Sequence, residues 1–333
     1  MRIRRRLPIL FGFLLFVAAV AAVVELRKHA PPEPARLLPG ADGFIYIDLK
    51  WMRRADVADH LPSVPHDPEY EQFIQATGFQ FERDLEQAAL AIHYASPQTG
   101  NETRFSEIFV AKIDGDKLRA YLKKLASSID NHNSVDIYNI PLENRTLRVA
   151  ILGVDTVAAS NHNDPSVIRG IIDRSRKLAS PFGGPMLLRQ FYKHVPLTSL
   201  AWAVLKVEPE QGLAVTPGTQ TSWGFSFAKG ATVVASVRYL GAIHFRAEAF
   251  AQDEHAAEQL TSQVNTFLAI FQSAEVSAAG HTPDPDIKSA LDSLKVEQHK
   301  DRAVLTAKLP VALIRKIVAE APAEVGPGAK GKK

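Results

Sequence analysis

Cysteine is absent from the 333 residues. That excludes disulfides, a thiolate nucleophile, Cys-ligated zinc and a lipidated N-terminal cysteine. It leaves the compartment open, because a cysteine-free chain is safe in oxidising and reducing spaces alike. Motifs built for chemistry are missing too: there is no Walker phosphate loop, glycine-rich dinucleotide turn, His-Glu-x-x-His helix or Ca²⁺ loop. Gly224-Phe225-Ser226-Phe227 approaches a nucleophile elbow, but Ala228 stands where the second glycine belongs and the residues downstream read as a strand. No catalytic residue, metal ligand set or cofactor is assigned, and the reading leans away from an enzyme.

A basic field is lacking as well. The formal charge of +3 comes from the ends, where Arg2, Arg4, Arg5, Arg6, Lys330, Lys332 and Lys333 are collected, and without them 32 basic residues face 36 acidic ones. A slightly acidic body does not carry the potential that drives nucleic-acid binding, so nucleic acid is set aside as a partner. With 46% hydrophobic and 23% charged residues, a packed fold is expected.

What is present begins with Leu7 to Val24, an uncharged run of 18 residues. As a helix it measures ~27 Å, close to the thickness of a bilayer's hydrocarbon core. Four arginines precede it, whereas Arg27 and Lys28 follow beside Glu25, which orients the N-terminus to the cytoplasm and the body outside. The expectation is a single-pass inner-membrane protein with a periplasmic or extracellular body and the lipid bilayer as partner through Leu7 to Val24. The alternative is a cleaved signal peptide ending near Ala19-Val20-Ala21, which exports the body equally. Pro31, Pro32 and Pro34 then suggest an extended spacer.

Periodicity predicts an α+β body of duplicated β-ββ-α-ββ-α units with mostly antiparallel sheets, preceded by one transmembrane helix. In the first unit, strands fall at Phe44 to Leu49, Gln87 to Tyr94, Phe105 to Ile113, Val135 to Ile140 and Thr146 to Leu152, with helices at Gly115 to Ser127 and Pro165 to Leu178. In the second, strands fall at Leu200 to Val207, Thr232 to Tyr239, Ala242 to Phe250, Leu294 to His299 and Ala303 to Leu309, with helices at Asp253 to Phe271 and Val311 to Glu320. The divisions are 1–6 basic flank, 7–24 transmembrane helix, 25–37 spacer, 38–180 first half, 186–321 second half and 322–333 basic tail. Asp67-Pro68, Asp164-Pro165 and Asp284-Pro285 read as helix starts, with Asp as N-cap and Pro as the first helical residue; capping outweighs a metal reading of the acidic Asp284–Asp286 run.

Leu38-Pro39-Gly40-Ala41-Asp42 leading into Gly43 to Leu49, with Thr77-Gly78-Phe79 and Asp84-Leu85, resembles the opening of membrane-anchored bacterial envelope proteins grouped as a domain of unknown function. The resemblance covers about 50 residues of turn and strand chemistry. It implies a short anchor before a duplicated α+β body, and it implies no catalytic residue or ligand.

Three polar groups deserve weighing. Asn131-His132-Asn133 and Asn161-His162-Asn163 read as turns, since Asn tolerates left-handed backbone and two histidines fall short of a metal site. On the strand Ala242 to Phe250, the row His244, Arg246 and Glu248 is expected beside Arg238 and near Thr306 and Lys308. These four, His244, Arg246, Glu248 and Arg238, are the candidate site for an anionic or sugar-like ligand, against the plain reading of a solvated sheet face. Phe225, Phe227, Phe245 and Phe250 could instead line an apolar cavity. Three functions stand: an envelope binding or scaffolding protein with an envelope protein as partner, a tethered hydrolase, and a lipid carrier.

Overall fold

The computed structural model describes residues 30–54, 66–177, 183–207, 231–278 and 285–313. Its elements in chain order are α1 (Glu33–Leu37), β1 (Gly43–Asp48), α2 (Leu49–Arg54), α3 (Pro68–Thr77), α4 (Phe81–Asp84), β2 (Leu85–His93), β3 (Arg104–Ala111), α5 (Gly115–Leu125), β4 (Ser128–His132), β5 (Val135–Leu142), β6 (Arg145–Ile151) and β7 (Thr156–Ser160). There follow α6 (Ser166–Arg176), α7 (Met186–Phe191), β8 (Ala201–Val207), β9 (Ala231–Tyr239), β10 (Ile243–Phe250), α8 (Glu254–Ala278), α9 (Pro285–Asp292), β11 (Lys295–His299) and β12 (Arg302–Leu309). The predicted transmembrane helix and basic tail lie outside the described residues, as do Phe225, Phe227 and the helix Val311 to Glu320 beyond residue 313. Among the described residues, no helix is long and apolar enough to cross a membrane.

All twelve strands form one antiparallel sheet in the order β11-β12-β10-β9-β8-β1-β2-β3-β7-β6-β5-β4. The α+β class is therefore shown, and the two expected halves share a single sheet, joined where β1 pairs with β8. At that seam Gly43 is pressed so closely that a Cβ would meet Leu205 Cδ2 at 2.6 Å. Strand order and register repeat as a two-fold relation about the Ile45–Ala203 pair, which matches β1 with β8, β2 with β9, β3 with β10 and β7 with β12.

Alternation gives the sheet two unlike faces. On one, Phe44, Tyr46, Ala91, Ile108, Ile137, Ala150, Trp202, Val204 and Val234 meet Ala35, Leu37 and Leu38 around α1, Ile168, Ile171 and Ile172 of α6, and Leu187 and Leu188 of α7 in the main core. On the other, Leu118 and Leu122 of α5 pack with Phe73 of α3 against Tyr138, Val149 and Ala159. Beside this helix-covered part of the second face lie Ile45, Leu90, Ile92, Phe105, Ala203, Leu205, Val237 and Phe245, all half-buried, with Glu107 among them. Burial pushes the Glu107 carboxyl up.

Several expectations need correction. The extended spacer does not continue to residue 37: Pro32 is the N-cap of α1, and Ala35 and Leu37 are buried. Prolines at a helix start lack only N–H groups that a first turn leaves unused, so a proline-rich stretch followed by apolar residues becomes a docked helix. The first half also has two more strands than its expected unit, β4 and β7. At Asp67-Pro68 the capping holds, with Asp67 accepting from the Tyr70 amide. At Asp164 the carboxylate accepts from the amide and hydroxyl of Ser166, and Pro165 occupies the cap position of α6.

Candidate functional site

Strand register places the four sequence-expected residues together. His244 pairs with Arg238 on one side and Lys308 on the other, and Arg246 pairs with Ser236 and Thr306. Lys295 of β11 lies opposite Thr306 and extends the Arg246 row to the end of the sheet. All occupy the face of the main core, because Glu248 pairs with Val234, which pairs with Val204, which pairs with Phe44.

The plain expectation of a solvated face fails at Glu248, which is 3% exposed. Its oxygen Oε1 accepts from Arg246 Nε at 2.8 Å and lies 2.7 Å from Arg246 Nη2. Its other oxygen stands 3.3 Å from Arg302 Nε, near enough for ionic attraction but too misaligned for a hydrogen bond, and 3.8 Å from His194 Nδ1. His194 belongs to the short 3₁₀ turn after α7, which brings it over the strand. Its ring lies 4.6 Å from that of Phe250, and Phe191 meets Phe250 at 5.1 Å. This lid over β10 is what alternation alone could not show. Burial lowers the His194 pKa and the nearby Glu248 charge works against it. A carboxylate taken from water needs such partners, so Glu248 is best read as the internal counter-ion that lets Arg246 and Arg302 sit beside the core.

The two-fold relation exposes a second polar group that sequence reasoning missed. It carries His93, Arg104, Ser106 and Ser160 onto Arg238, His244, Arg246 and Thr306, and places residue 162 where Lys308 stands. In the first half this group is sealed: His93 is 7% exposed, Arg104 4%, Ser106 0% and Ser160 2%. His93 Nε2 meets Ser106 Oγ at 3.1 Å, Ser106 Oγ meets Ser160 Oγ at 2.9 Å, and Arg104 donates to the Thr99 carbonyl at 3.0 Å. Rings of His93 and His162 touch at 4.9 Å. Desolvation, helped by His162, pulls the His93 pKa down to about 4, so the imidazole is neutral. A serine hydrogen-bonded to a neutral histidine has the elements of a nucleophile and its base. Burial of both puts them out of a substrate's reach.

The Asn-His-Asn triplets do not converge. Asn133 and Ser134, at φ 50° and 61°, form the tight β4–β5 turn, and His132 meets Asp173 of α6 at 2.8 Å, whereas His162 meets His93. Phe245 and Phe250 lie on opposite faces of β10, so they do not line one cavity together. Among the described residues no group of three His, Asp or Glu is arranged to hold a metal.

No family model matches the chain, and no curated protein matches it. Among solved structures, crystal forms III and IV of TP0453 are similar to it at 9% and 8% identity with a TM-score of 0.45 each, and crystal form I at 9% identity with a TM-score of 0.43. Each match covers 87% of this chain and 98% of that one, and a likeness of this degree carries no argument about fold family or function.

Proposed function

We propose that the chain is a membrane-tethered, extracytoplasmic protein of the bacterial envelope, built from a duplicated α+β unit and having a binding or scaffolding role. The observation that carries this reading is the arginine-flanked apolar run Leu7 to Val24, placed just before a helix that docks on the middle of the sheet. The shared register of the two halves supports duplication. Protease added to intact spheroplasts is expected to digest the body without detergent. Survival of the body until detergent is added overturns the placement. Retention of the membrane fraction through an alkaline carbonate wash distinguishes an anchor from a cleaved leader.

A second reading, a carrier of an apolar molecule, is favoured by the half-buried apolar residues at the centre of the second sheet face, around Glu107. Native mass spectrometry of the gently purified full chain is expected to show a co-purifying lipid mass if it holds. Bare protein alone counts against it. A tethered hydrolase has less support, because the Ser106–His93 pair is enclosed.

A further inference from the structure

The row Arg238–His244–Lys308 is unusual for neighbouring positions of an antiparallel sheet. Side chains directly opposite one another on adjacent strands have Cβ atoms about 4.5–5.5 Å apart, close enough to act on one ligand together. Here two cations flank an imidazole across three strands, with no carboxylate in the same row on β9, β10 or β12. The next row adds Arg246, Thr306 and Lys295 on the same face, with Ser236 beside Arg246. Lys308 and Lys295 are exposed, and Arg238, His244 and Arg246 are half-buried.

Among the described residues of β1 and β8 to β12, three carboxylates share this face. Glu248 is enclosed and engaged by Arg246 and Arg302. Glu297 of β11 sits one row further on and stands 3.3 Å from His299 Nε2. Asp48 of β1, two strands beyond Arg238, accepts from the Tyr46 hydroxyl and the Trp51 amide. The 3₁₀ turn above brings His194 and Lys193, not a carboxylate. On these strands the excess is therefore positive, and Glu248 holds the guanidinium of Arg246 in place through two nitrogens at 2.8 and 2.7 Å.

The two halves differ here in a way that bears on function. At the equivalent place in the first half, the row is closed over: His93 is buried neutral, and Arg104 is spent on the Thr99 carbonyl and on Glu102 at 3.2 Å. In the second half the equivalent positions stay open to solvent: Arg238 and His244 are half-buried and Lys308 is exposed.

We propose that Arg238, His244 and Lys308, with Arg246 behind them, form a binding site for a phosphate-bearing ligand, supplied either by a lipid headgroup or by a free phosphorylated molecule. A guanidinium, an ammonium and a ring N–H on three successive strands suit the several oxygens of one phosphate, whose negative charge complements the two cations. This gives the ligand class for the binding role proposed above, and it stands whether or not the tether does.

The full chain in a neutral detergent is titrated with inorganic phosphate and followed by ³¹P line broadening, and in parallel placed in nanodiscs of phosphatidylcholine alone or with added phosphatidylglycerol. Saturable phosphate binding, weakened at least tenfold in Arg238→Gln/Lys308→Gln, supports a free ligand. Hydrogen-exchange protection of residues 236–246 only in the discs containing phosphatidylglycerol, lost in the same variant, supports a headgroup. Binding in neither arm, or binding unchanged in the variant, overturns the site. Lys308→Gln alone alters an exposed side chain and is expected to weaken binding at least threefold, so the outcome does not depend on the double variant folding. Failure of the tether is read from the protease experiment and leaves the phosphate titration independent.

Discussion

Lowering the pH from 7 to 4 is expected to cost the fold about 3 kcal/mol through His93 alone, a large share of a typical domain's stability. In the folded chain this imidazole, 7% exposed, is held neutral down to about pH 4, against 6.5 when free in water. Above 6.5 both states are neutral and the group contributes nothing to the pH dependence. Between 6.5 and 4 the unfolded chain takes up a proton that the folded chain refuses, so stability falls as pH falls, and below 4 the loss is complete. His162 and His194, also lowered by burial, act in the same direction. His66 is raised by Glu71 and acts oppositely, but at the surface. The depressed carboxylates Asp84, Asp114, Asp164 and Asp173 lose their contribution only as pH drops below the ordinary carboxylate value, and Glu107, pushed up by burial, opposes the histidines by taking up a proton more readily in the folded chain. Urea unfolding at pH 7, 5.5 and 4.5 measures it. His93→Gln keeps a partner for Ser106 and is expected to flatten the slope markedly; an unchanged slope would show that His93 does not carry it.

That histidine marks where sequence reading stopped. Nine of the ten strands expected from alternation appear close to their predicted places, and the tenth, Phe44 to Leu49, gives up its last residue to α2. They were legible because side chains alternate between unlike faces, which writes a period of two into β10 and β12. β4 escaped because Ser128 to Asp130 are exposed at the sheet's end and carry no alternation. β7, with Thr-Val-Ala-Ala-Ser, is small-residued and partly enclosed on both sides, so its pattern is flat. The candidate site was legible as a row, since register follows from a hairpin whose turn is set by Leu240 and Gly241 at φ 77°. Its depth was not. Whether Glu248 meets water depends on Phe191 and His194 lying against β10, a contact between residues far apart in the chain. The sealed counterpart at His93, Ser106 and Ser160 was invisible for the same reason: its members come from β2, β3 and β7, and only the fold sets them side by side.

The seam between the halves should respond to substitution in a way that tells size from polarity. Trp202 on β8 is 3% exposed, stacks on Tyr46 of β1 at 5.5 Å and meets Tyr192 edge-on at 5.2 Å, and its indole Nε1 has no hydrogen-bond partner among the described residues. Burial pushes the Tyr192 hydroxyl up to about 12, a sign of how dry this pocket is. Trp202→Ala removes the ring on which both neighbours lean and is expected to cost about 3–5 kcal/mol. Trp202→Phe also loses volume, but it removes a buried N–H that finds no acceptor among the described residues, a burden of about 1–3 kcal/mol in the parent. The two effects oppose, so the phenylalanine variant is expected within about 1 kcal/mol of the parent by the same magnitudes. Because Trp202 pairs with Tyr46 across the only strand contact joining the halves among the described residues, both variants should still unfold in one transition, at different denaturant midpoints. Calorimetry of the alanine variant decides the matter: two separated transitions would mean that each half holds its own core and that β1 and β8 merely touch, whereas one lowered transition means that the sheet is the folding unit.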